Sequence, residues 1–220
     1  MDNSRMLSRR KLLRMSLVAG GWVGSGGVFA AAEPLRRTPT QILGPFYPVM
    51  KPLDQDADLT AIRGKSGKAA GQLLHVMGRV LNTRGEPVQG ARIEIWQANT
   101  HGRYTHPSDR NPAPLDPNFE GFAKLVTDAE GRYRFKTVKP GAYPQDGEMR
   151  PPHIHFDVSG KINRLVSQMY FADEPLNERD RFLATARANA SRLIVRPQPP
   201  GPGLEPESLV AHWDIVLEQG

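Results

Sequence analysis

A chain of 220 residues that is 39% hydrophobic can bury one well-filled core, and its 21 glycines and 20 prolines favour short strands and turns over a helical bundle. It has no cysteine, which excludes disulfides, thiolate zinc sites, iron–sulfur clusters and cysteine nucleophiles, so that any metal must be bound through nitrogen and oxygen. The formal net charge is +6, but residues 1–32 account for +4 of it, and the nearly balanced remainder predicts no nucleic-acid partner.

The first 32 residues predict an export signal. Residues 8–13 (SRRKLL) precede an apolar, glycine-rich stretch at 15–29, which ends in three alanines at 30–32. This pattern resembles a twin-arginine signal peptide with an A-x-A cleavage site. A membrane anchor is the alternative, but the apolar stretch is shorter than the ~20 residues that span a bilayer. We therefore expect export of the folded protein to the periplasm or beyond, with no stable membrane anchor after cleavage.

Residues 33–72 are predicted to form an extended N-terminal arm, because five prolines between positions 34 and 52 interrupt any helix or central strand. Beyond the arm, short alternating apolar runs predict strands at 73–81, 91–98, 122–127, 133–138, 153–158, 164–171, 192–195 and 212–217. The first two strands are expected to pair as a hairpin across the turn at 82–87, and the next two across the turn at 128–131. One short helix is predicted from 174 to 188. The fold class is thus all-β, a β-sandwich over residues 73–220.

Two histidines in one predicted strand are candidate metal ligands. The side chains of His153 and His155 point to the same face, about 7 Å apart along the strand. Such a pair alone is more often packing or surface. Two imidazoles that bind a hard cation would need anionic oxygen partners, and Tyr104 and Tyr143 lie in glycine- or proline-containing loops that suit ligands. Two other tyrosines, at positions 133 and 170, lie within predicted strands and are expected to be core residues.

Several long motifs resemble one enzyme family. WQANTHGRY (96–104), GRYRFKTVKPGAYP (131–144) and RPPHIHF (150–156) are similar to the intradiol ring-cleaving dioxygenases, above all to the protocatechuate 3,4-dioxygenase type. TPTQILGPFYP (38–48), SQMYF (167–171) and WDIVL (213–217) extend the resemblance over nearly all of the chain beyond the signal. The resemblance implies a dioxygenase that cleaves a catechol-type substrate with O2 between its two hydroxyl-bearing carbons, giving a cis,cis-muconate-type product.

The resemblance also implies a metal site. The iron ligands of the family fall by motif on Tyr104, Tyr143, His153 and His155, which predicts one Fe(III) per chain and no organic cofactor. In the family, the tyrosine at the position of Tyr143 leaves the iron when the catechol binds. The tyrosine at the position of Tyr104 stays bound.

Further residues are assigned by motif to the substrate pocket. Arg150 matches the active-site arginine of the family, where a guanidinium stabilises negative charge on the ring, and Gln168 matches a pocket glutamine. Trp96 matches an aromatic residue near the iron. Gln145 stands where the protocatechuate enzymes have a tryptophan, which predicts an altered pocket. Those enzymes pair two related chains, so that a homo-oligomer or a related partner chain is expected here.

Two other interpretations remain open from the residues. The segments at 78–91 and 127–135 also resemble transthyretin-like sandwiches that serve as binding modules, which have no reason to retain the iron ligands. Alternatively, His153 and His155 could bind copper or zinc together with His106 or His212.

Overall fold

A computed structural model describes residues 33–220. The predicted signal peptide lies outside the described residues. The strands are β1 (Leu73–Leu81), β2 (Arg92–Trp96), β3 (Phe122–Val126), β4 (Arg132–Val138), β5 (Tyr143–Gln145), β6 (Glu148–Arg150), β7 (His153–Ser159), β8 (Arg164–Phe171), β9 (Ile194–Val195), β10 (Leu209–His212) and β11 (Ile215–Val216). Within residues 33–220, eleven strands and few helical turns confirm the all-β prediction.

Two sheets carry the fold. In one sheet, β1 pairs with β4 on one edge and with the short parallel strands β10 and β11 on the other. The second sheet has the order β3-β2-β7-β8-β9, so that β7 is its central strand. A separate two-stranded hairpin joins β5 to β6.

The hydrophobic core lies between the two sheets. Strand β4 shows the expected alternation, because Tyr133 and Phe135 are buried whereas Arg132 and Arg134 are exposed. Strand β7 is buried along almost its whole length on both faces. Its core face carries three apolar side chains, Ile154, Phe156 and Val158. The other face, with both candidate histidines, is therefore available for a buried site.

Both predicted hairpins are wrong in their pairing. Strand β1 pairs with β4 and not with β2, and β2 pairs with β3 and β7. The turn at 82–87 is tight, with the Asn82 N–H donating to the Glu86 carbonyl at 2.9 Å, but the chain then crosses to the opposite sheet. The apolar sides of β1 and β2 therefore face each other across the core instead of lying side by side, which is the usual solution of a sandwich.

The predicted helix at 174–188 is also wrong in its extent. The segment contains a 3₁₀ turn at Pro175–Arg179, a single α-turn α1 at Arg181–Ala184 and a second 3₁₀ turn at Arg187–Leu193. The backbone of Asp180 is extended and stops the first turn, while its side chain accepts the Leu183 N–H and starts the α-turn. The second 3₁₀ turn includes Arg192 and Leu193, so that the strand predicted at 192–195 shortens to β9.

The arm runs along the sandwich without regular strands of its own. Its Gln41 N–H donates to the Val166 carbonyl of β8, and its Leu59 is fully buried and donates to the Lys136 carbonyl of β4. Among residues 33–220, no helix has the length and apolarity needed to cross a membrane.

Candidate metal centre

Strand β7 places His153 and His155 on its outer face, opposite Tyr170 and Gln168 of β8. Both imidazoles are 1% exposed, and their Nε2 atoms lie 3.2 Å apart. The spacing expected from the strand thus brings two ring nitrogens to one point. Trp96 of β2 stacks on the His155 ring at a centroid distance of 4.8 Å and an angle of 9°, which fixes the orientation of that imidazole.

A backbone carbonyl sets the tautomer of His153. Its Nδ1 lies 2.8 Å from the carbonyl oxygen of Pro151, which can only accept, so that Nδ1 carries the proton and Nε2 keeps a free lone pair. Burial lowers the pKa of His153 and of His155 well below the ordinary value, and the nearby Arg150 charge acts in the same direction. Both imidazoles are therefore neutral at physiological pH, the state that binds metal ions.

The β5–β6 hairpin delivers Tyr143 to the same point. Its hydroxyl lies 3.3 Å from the His153 Nε2 and 3.2 Å from the Gln145 Oε1. Arg150, its partner across the hairpin, places its Nη1 3.4 Å from the same hydroxyl. Tyr143 is thus a buried strand residue, which corrects the prediction that it lies in a loop.

Tyr104 approaches from the loop after β2. Its ring lies 5.1 Å from the Tyr143 ring and 6.3 Å from the His155 ring. The buried carboxylate of Asp109 accepts the Tyr104 N–H at 2.7 Å and holds this backbone in place. The hydroxyl of Tyr104 is buried and has no hydrogen-bond partner among the described residues. Such an atom is rare unless it contacts a metal or water.

Two glycines let the tyrosine-bearing segments touch. A Cβ at Gly102 would lie 2.0 Å from the Ala142 carbonyl oxygen, and one at Gly141 would lie 2.5 Å from the Thr100 oxygen. Gly102 also has φ of +77°, which side chains rarely adopt. The Asn99 carbonyl accepts both glycine N–H groups, at 3.0 and 2.9 Å. The glycines are therefore required for the contact between the Tyr104 and Tyr143 segments.

Arg150 occupies the centre of a buried polar network beside the histidines. Its Nε donates to the Asp180 Oδ2 at 2.8 Å, and its Nη2 donates to the Gln168 Oε1 and the Tyr170 hydroxyl, each at 2.9 Å. The ring of Phe182 covers the guanidinium at 4.4 Å. Burial alone would lower the pKa of Arg150, but the Asp180 carboxylate raises it, so that a permanent cation stands next to the centre.

The N-terminal arm covers the centre. Phe46 packs on the Tyr104 ring at 4.7 Å and against Tyr143 at 5.9 Å, and a Cβ at Gly44 would lie 3.0 Å from the His155 Cε1. A cavity of about 470 Å³ adjoins Phe46, Tyr104 and Trp96. The tyrosines, the histidines and Arg150 are each at most 3% exposed.

The donor set fits a hard, highly charged cation. Burial raises the pKa of Tyr104 well above the ordinary value and also that of Tyr143, so that each phenol needs a bound cation to become an anionic ligand. Within residues 33–220, no three His, Asp or Glu side chains are grouped to hold a metal ion by themselves. The alternative copper or zinc site with His106 or His212 is therefore not formed there, and the candidate oxygen donors beside the two imidazoles are the phenol hydroxyls.

Comparison with known proteins gives the family. A family model described as dioxygenase matches residues 42–219, which is most of the chain. The protein belongs to the intradiol ring-cleaving dioxygenases.

Named relatives of this dioxygenase include the protocatechuate 3,4-dioxygenase beta chain of Burkholderia cepacia, which is 49% identical over 151 residues, or 66% of this chain and 63% of that protein. The hydroxyquinol 1,2-dioxygenase of Rhizobium sp. (strain MTP-10005) is 33% identical over 65% of this chain and 50% of its own length. The chain thus spans between half and two thirds of these relatives.

Solved structures show the same fold. The dioxygenase domain of a dioxygenase and carbohydrate-binding fusion protein from Streptomyces sp. SirexAA-E aligns with a TM-score of 0.64 and 25% identity, covering 84% of this chain and all of that one. An intradiol ring-cleavage dioxygenase from Tetranychus urticae aligns with a TM-score of 0.63 and 21% identity over 83% of this chain and 94% of its own.

The structure brings together the six residues that the dioxygenase motifs assigned as iron ligands or active-site polar groups: Tyr104, Tyr143, Arg150, His153, His155 and Gln168. Trp96, also assigned by motif, stacks on His155. Tyr170 has the predicted buried ring, but its hydroxyl belongs to the Arg150 network. Asp180 was missed, because it fell inside the predicted helix at 174–188 and lies 30 residues from Arg150 in the chain.

Proposed function

We propose that this protein is a non-haem Fe(III) dioxygenase that cleaves a protocatechuate-like catechol with O2 between its two hydroxyl-bearing carbons. The product would be of the cis,cis-muconate type. One Fe(III) per chain would be held by Tyr104, Tyr143, His153 and His155. The observation that carries the proposal is the convergence of two buried phenols and two neutral imidazoles beside a buried arginine.

The bound ferric ion would supply Lewis acidity, which favours deprotonated oxygen ligands. The two tyrosines are suited to different roles. The Tyr143 hydroxyl is within hydrogen-bond distance of Gln145 and Arg150, so that a neutral phenol at this position has acceptors and donors ready. As a phenolate, Tyr143 would take a proton from the incoming catechol at its Oη, and the neutral phenol so formed would be held by these two neighbours. The Tyr104 hydroxyl has no such partner among the described residues, which favours a ligand that stays in place.

Arg150 and Gln168 would act on the substrate. The guanidinium is a fixed cation whose Nη1 faces the Tyr143 hydroxyl and the His153 Nε2, at 3.4 and 3.1 Å. Negative charge that develops on the aromatic ring at this point is stabilised without reorganisation of solvent. The Gln168 Nε2–H donates to the Ile42 carbonyl and its Oε1 accepts from Arg150, so that the amide is held in a fixed orientation beside the guanidinium. The low exposure of all these groups excludes bulk water.

The substrate is proposed as protocatechuate-like because the relative at 49% identity is a protocatechuate 3,4-dioxygenase beta chain. Other relatives at 30–33% identity are named for catechol and hydroxyquinol. We also propose a homo-oligomer or a related partner chain. The enzyme would be exported by the twin-arginine route to the periplasm, and mass spectrometry of the exported protein should find that it begins at Glu33.

The test is turnover by iron-loaded protein with protocatechuate, catechol and hydroxyquinol in parallel, following O2 uptake and the ultraviolet spectrum of the product. We expect a carboxy-substituted cis,cis-muconate from protocatechuate at the highest kcat/KM. An extradiol semialdehyde product, or no cleavage of any of the three catechols, would contradict the proposal.

A further inference from the structure

Asp180 is a buried carboxylate outside the proposed set of metal ligands. Its side chain is 2% exposed. Its Oδ2 accepts the Arg150 Nε at 2.8 Å, and its Oδ1 accepts the Arg150 Nη2 at 3.3 Å. The same Oδ1 accepts the Leu183 N–H at 2.6 Å and the Tyr170 hydroxyl at 3.3 Å. One carboxylate therefore joins the arginine to α1 and to β8.

The contact fixes the plane of the guanidinium. A carboxylate that faces both Nε and Nη2 forms the two-point fork that suits arginine. With Nε and Nη2 occupied by Asp180, Gln168 and Tyr170, only Nη1 points to the Tyr143 hydroxyl and the His153 Nε2. Rotation of the guanidinium would exchange these partners. Asp180 therefore decides which N–H groups face the centre.

The charge of Asp180 is also needed for Arg150 to be buried. An arginine that is 3% exposed is costly to bury unless an anion and hydrogen-bond acceptors surround it. Phe182 covers one face of the guanidinium and supplies no acceptor. Asp180 is the carboxylate that the structure places in direct contact with the cation.

We propose that Asp180 is a positioning residue, whose carboxylate holds the Arg150 guanidinium so that Nη1 faces the substrate side of the metal centre. The inference rests on the proposed function, since it concerns how Arg150 contributes to ring cleavage. Among the described residues, no hydrogen bond joins Asp180 to a proposed metal ligand, so that its effect on the centre is transmitted by Arg150. Because Asp180 also caps α1, the same carboxylate sets both the position of the Phe182 ring over the guanidinium and the orientation of Arg150.

The test is a double-mutant cycle in the iron-loaded enzyme with Asp180→Asn, Arg150→Gln and the double variant. In Asp180→Asn, the amide oxygen can still accept the Leu183 N–H that begins α1. The amide NH2 group, however, now faces the N–H groups of the guanidinium as a second donor. We expect Asp180→Asn to lower kcat about 100-fold, in the range seen when one oriented donor is lost, with a change in KM of less than about threefold. In the Arg150→Gln background the same change should have almost no further effect.

Asp157→Asn is the matched control. Asp157 of β7 accepts the Arg164 Nε and Nη2 at 2.9 and 2.7 Å in the same two-point geometry, and among the described residues it has no hydrogen bond to the Arg150 network. Loss of the Asp157–Arg164 ion pair should leave kcat unchanged. If Asp180→Asn fails to fold, Asp180→Glu keeps the charge and displaces the guanidinium by one methylene, and the same loss of kcat is expected.

The inference would be overturned if folded Asp180→Asn or Asp180→Glu had a kcat within about threefold of wild type. It would also be overturned if the fold-loss of kcat in the double variant equalled the product of the losses in the two single variants. An NMR measurement separates this result from failure of the proposed function. In metal-free wild type, the Arg150 Nε–H should be a slowly exchanging signal that Asp180→Asn abolishes. If the wild type cleaves no catechol, the proposed function fails, and this signal alone decides whether Asp180 orients Arg150.

Discussion

A single backbone carbonyl sets the chemistry of His153. Because the Pro151 carbonyl accepts from Nδ1, the lone pair of Nε2 is directed at the Tyr143 hydroxyl and at His155. Stacking on Trp96 orients the second imidazole in a different way, through its ring face. The two proposed ligands in one H-x-H motif are thus fixed by separate neighbours, one polar and one aromatic.

Removal of one imidazole should abolish iron binding without unfolding the protein. We expect His155→Ala to lower the iron content after ferric reconstitution at least about tenfold, in line with the loss of a metal-orienting or ligating group. The measurement is total iron per chain, with circular dichroism as the check on folding. His212→Ala, at an exposed position of β10, should bind iron like the wild type. Equal iron in both variants would exclude His155 as a ligand.

At the scale of elements, the site depends on the close approach of the loop after β2 and the segment before β5. Gly102 and Gly141 allow this approach, and the Asn99 carbonyl holds both. The resemblance to a family locates the tyrosines, but the sequence does not show that they meet through a glycine contact. That contact joins residues some 40 positions apart and has no local signature.

Gly102→Ala should separate the two tyrosine segments. The new Cβ would lie 2.0 Å from the Ala142 carbonyl at a φ of +77°, and such backbone strain costs about 1–3 kcal/mol. We expect a lower free energy of unfolding in urea and reduced iron content. Gly201→Ala, where the Cβ would meet nothing within 4 Å, should change neither. A Gly102→Ala protein with wild-type stability and iron content would disprove the role of this contact.

Glu205 ties β1 to β4 through His75 and Lys136, at 2.7 and 2.8 Å. The hydrogen bond from Lys136, the largest effect, lowers the pKa of Glu205 to about 2. A carboxyl with a depressed pKa in the folded state stabilises the protein above its unfolded pKa of about 4.3, and this contribution disappears as the pH falls toward 2. The side chain is 42% exposed, so that screening limits the contribution to below about 1 kcal/mol.

Glu205→Gln should therefore have a lower free energy of unfolding than wild type at pH 6. The difference between the two free energies should narrow as the pH falls from about 4.3 to 2. Urea unfolding at a series of pH values measures it. Glu207→Gln, at an exposed position two residues on, is the control and should show no such narrowing. A difference that grows as the pH falls would contradict the assigned direction.

The sequence predicted most strands but not their pairing. Alternation with a period of two marks a strand such as β4 locally, whereas the crossing between sheets after β1 depends on which apolar faces meet in the core. The helix at 174–188 was overestimated because Phe182 and Leu183 suggested an apolar face, while the extended backbone of Asp180 interrupts it. The Arg150 network escaped notice because Asp180 lies 30 residues away in the chain.

At the scale of the whole molecule, β7 joins the core to the site. Its inward face packs Ile154, Phe156 and Val158 between the sheets, and its outward face carries the two histidines. Phe156 contacts Trp213, Phe135 and Tyr133 at ring distances of 4.8, 6.0 and 6.1 Å. The rigidity of the metal centre is therefore supplied by the core directly behind it.

Phe156→Ala should lower the free energy of unfolding of the metal-free protein by about 3–5 kcal/mol, since it removes a fully buried ring and leaves a cavity. Urea denaturation followed by tryptophan fluorescence measures the loss. Ile162→Ala, at a side chain that is 71% exposed, should change stability by less than about 0.5 kcal/mol. Similar values for the two variants would show that β7 is not anchored by this packing.

The proposed metal centre is tested most directly by the visible absorption spectrum of the purified protein after ferric loading. The spectrum is recorded before and after protocatechuate is added without O2, and total iron is measured in the same sample. We predict one iron per chain and a tyrosinate-to-iron band that shifts when the substrate binds. A colourless protein that remains free of iron after reconstitution would contradict the proposed metal centre and, with it, the dioxygenase function.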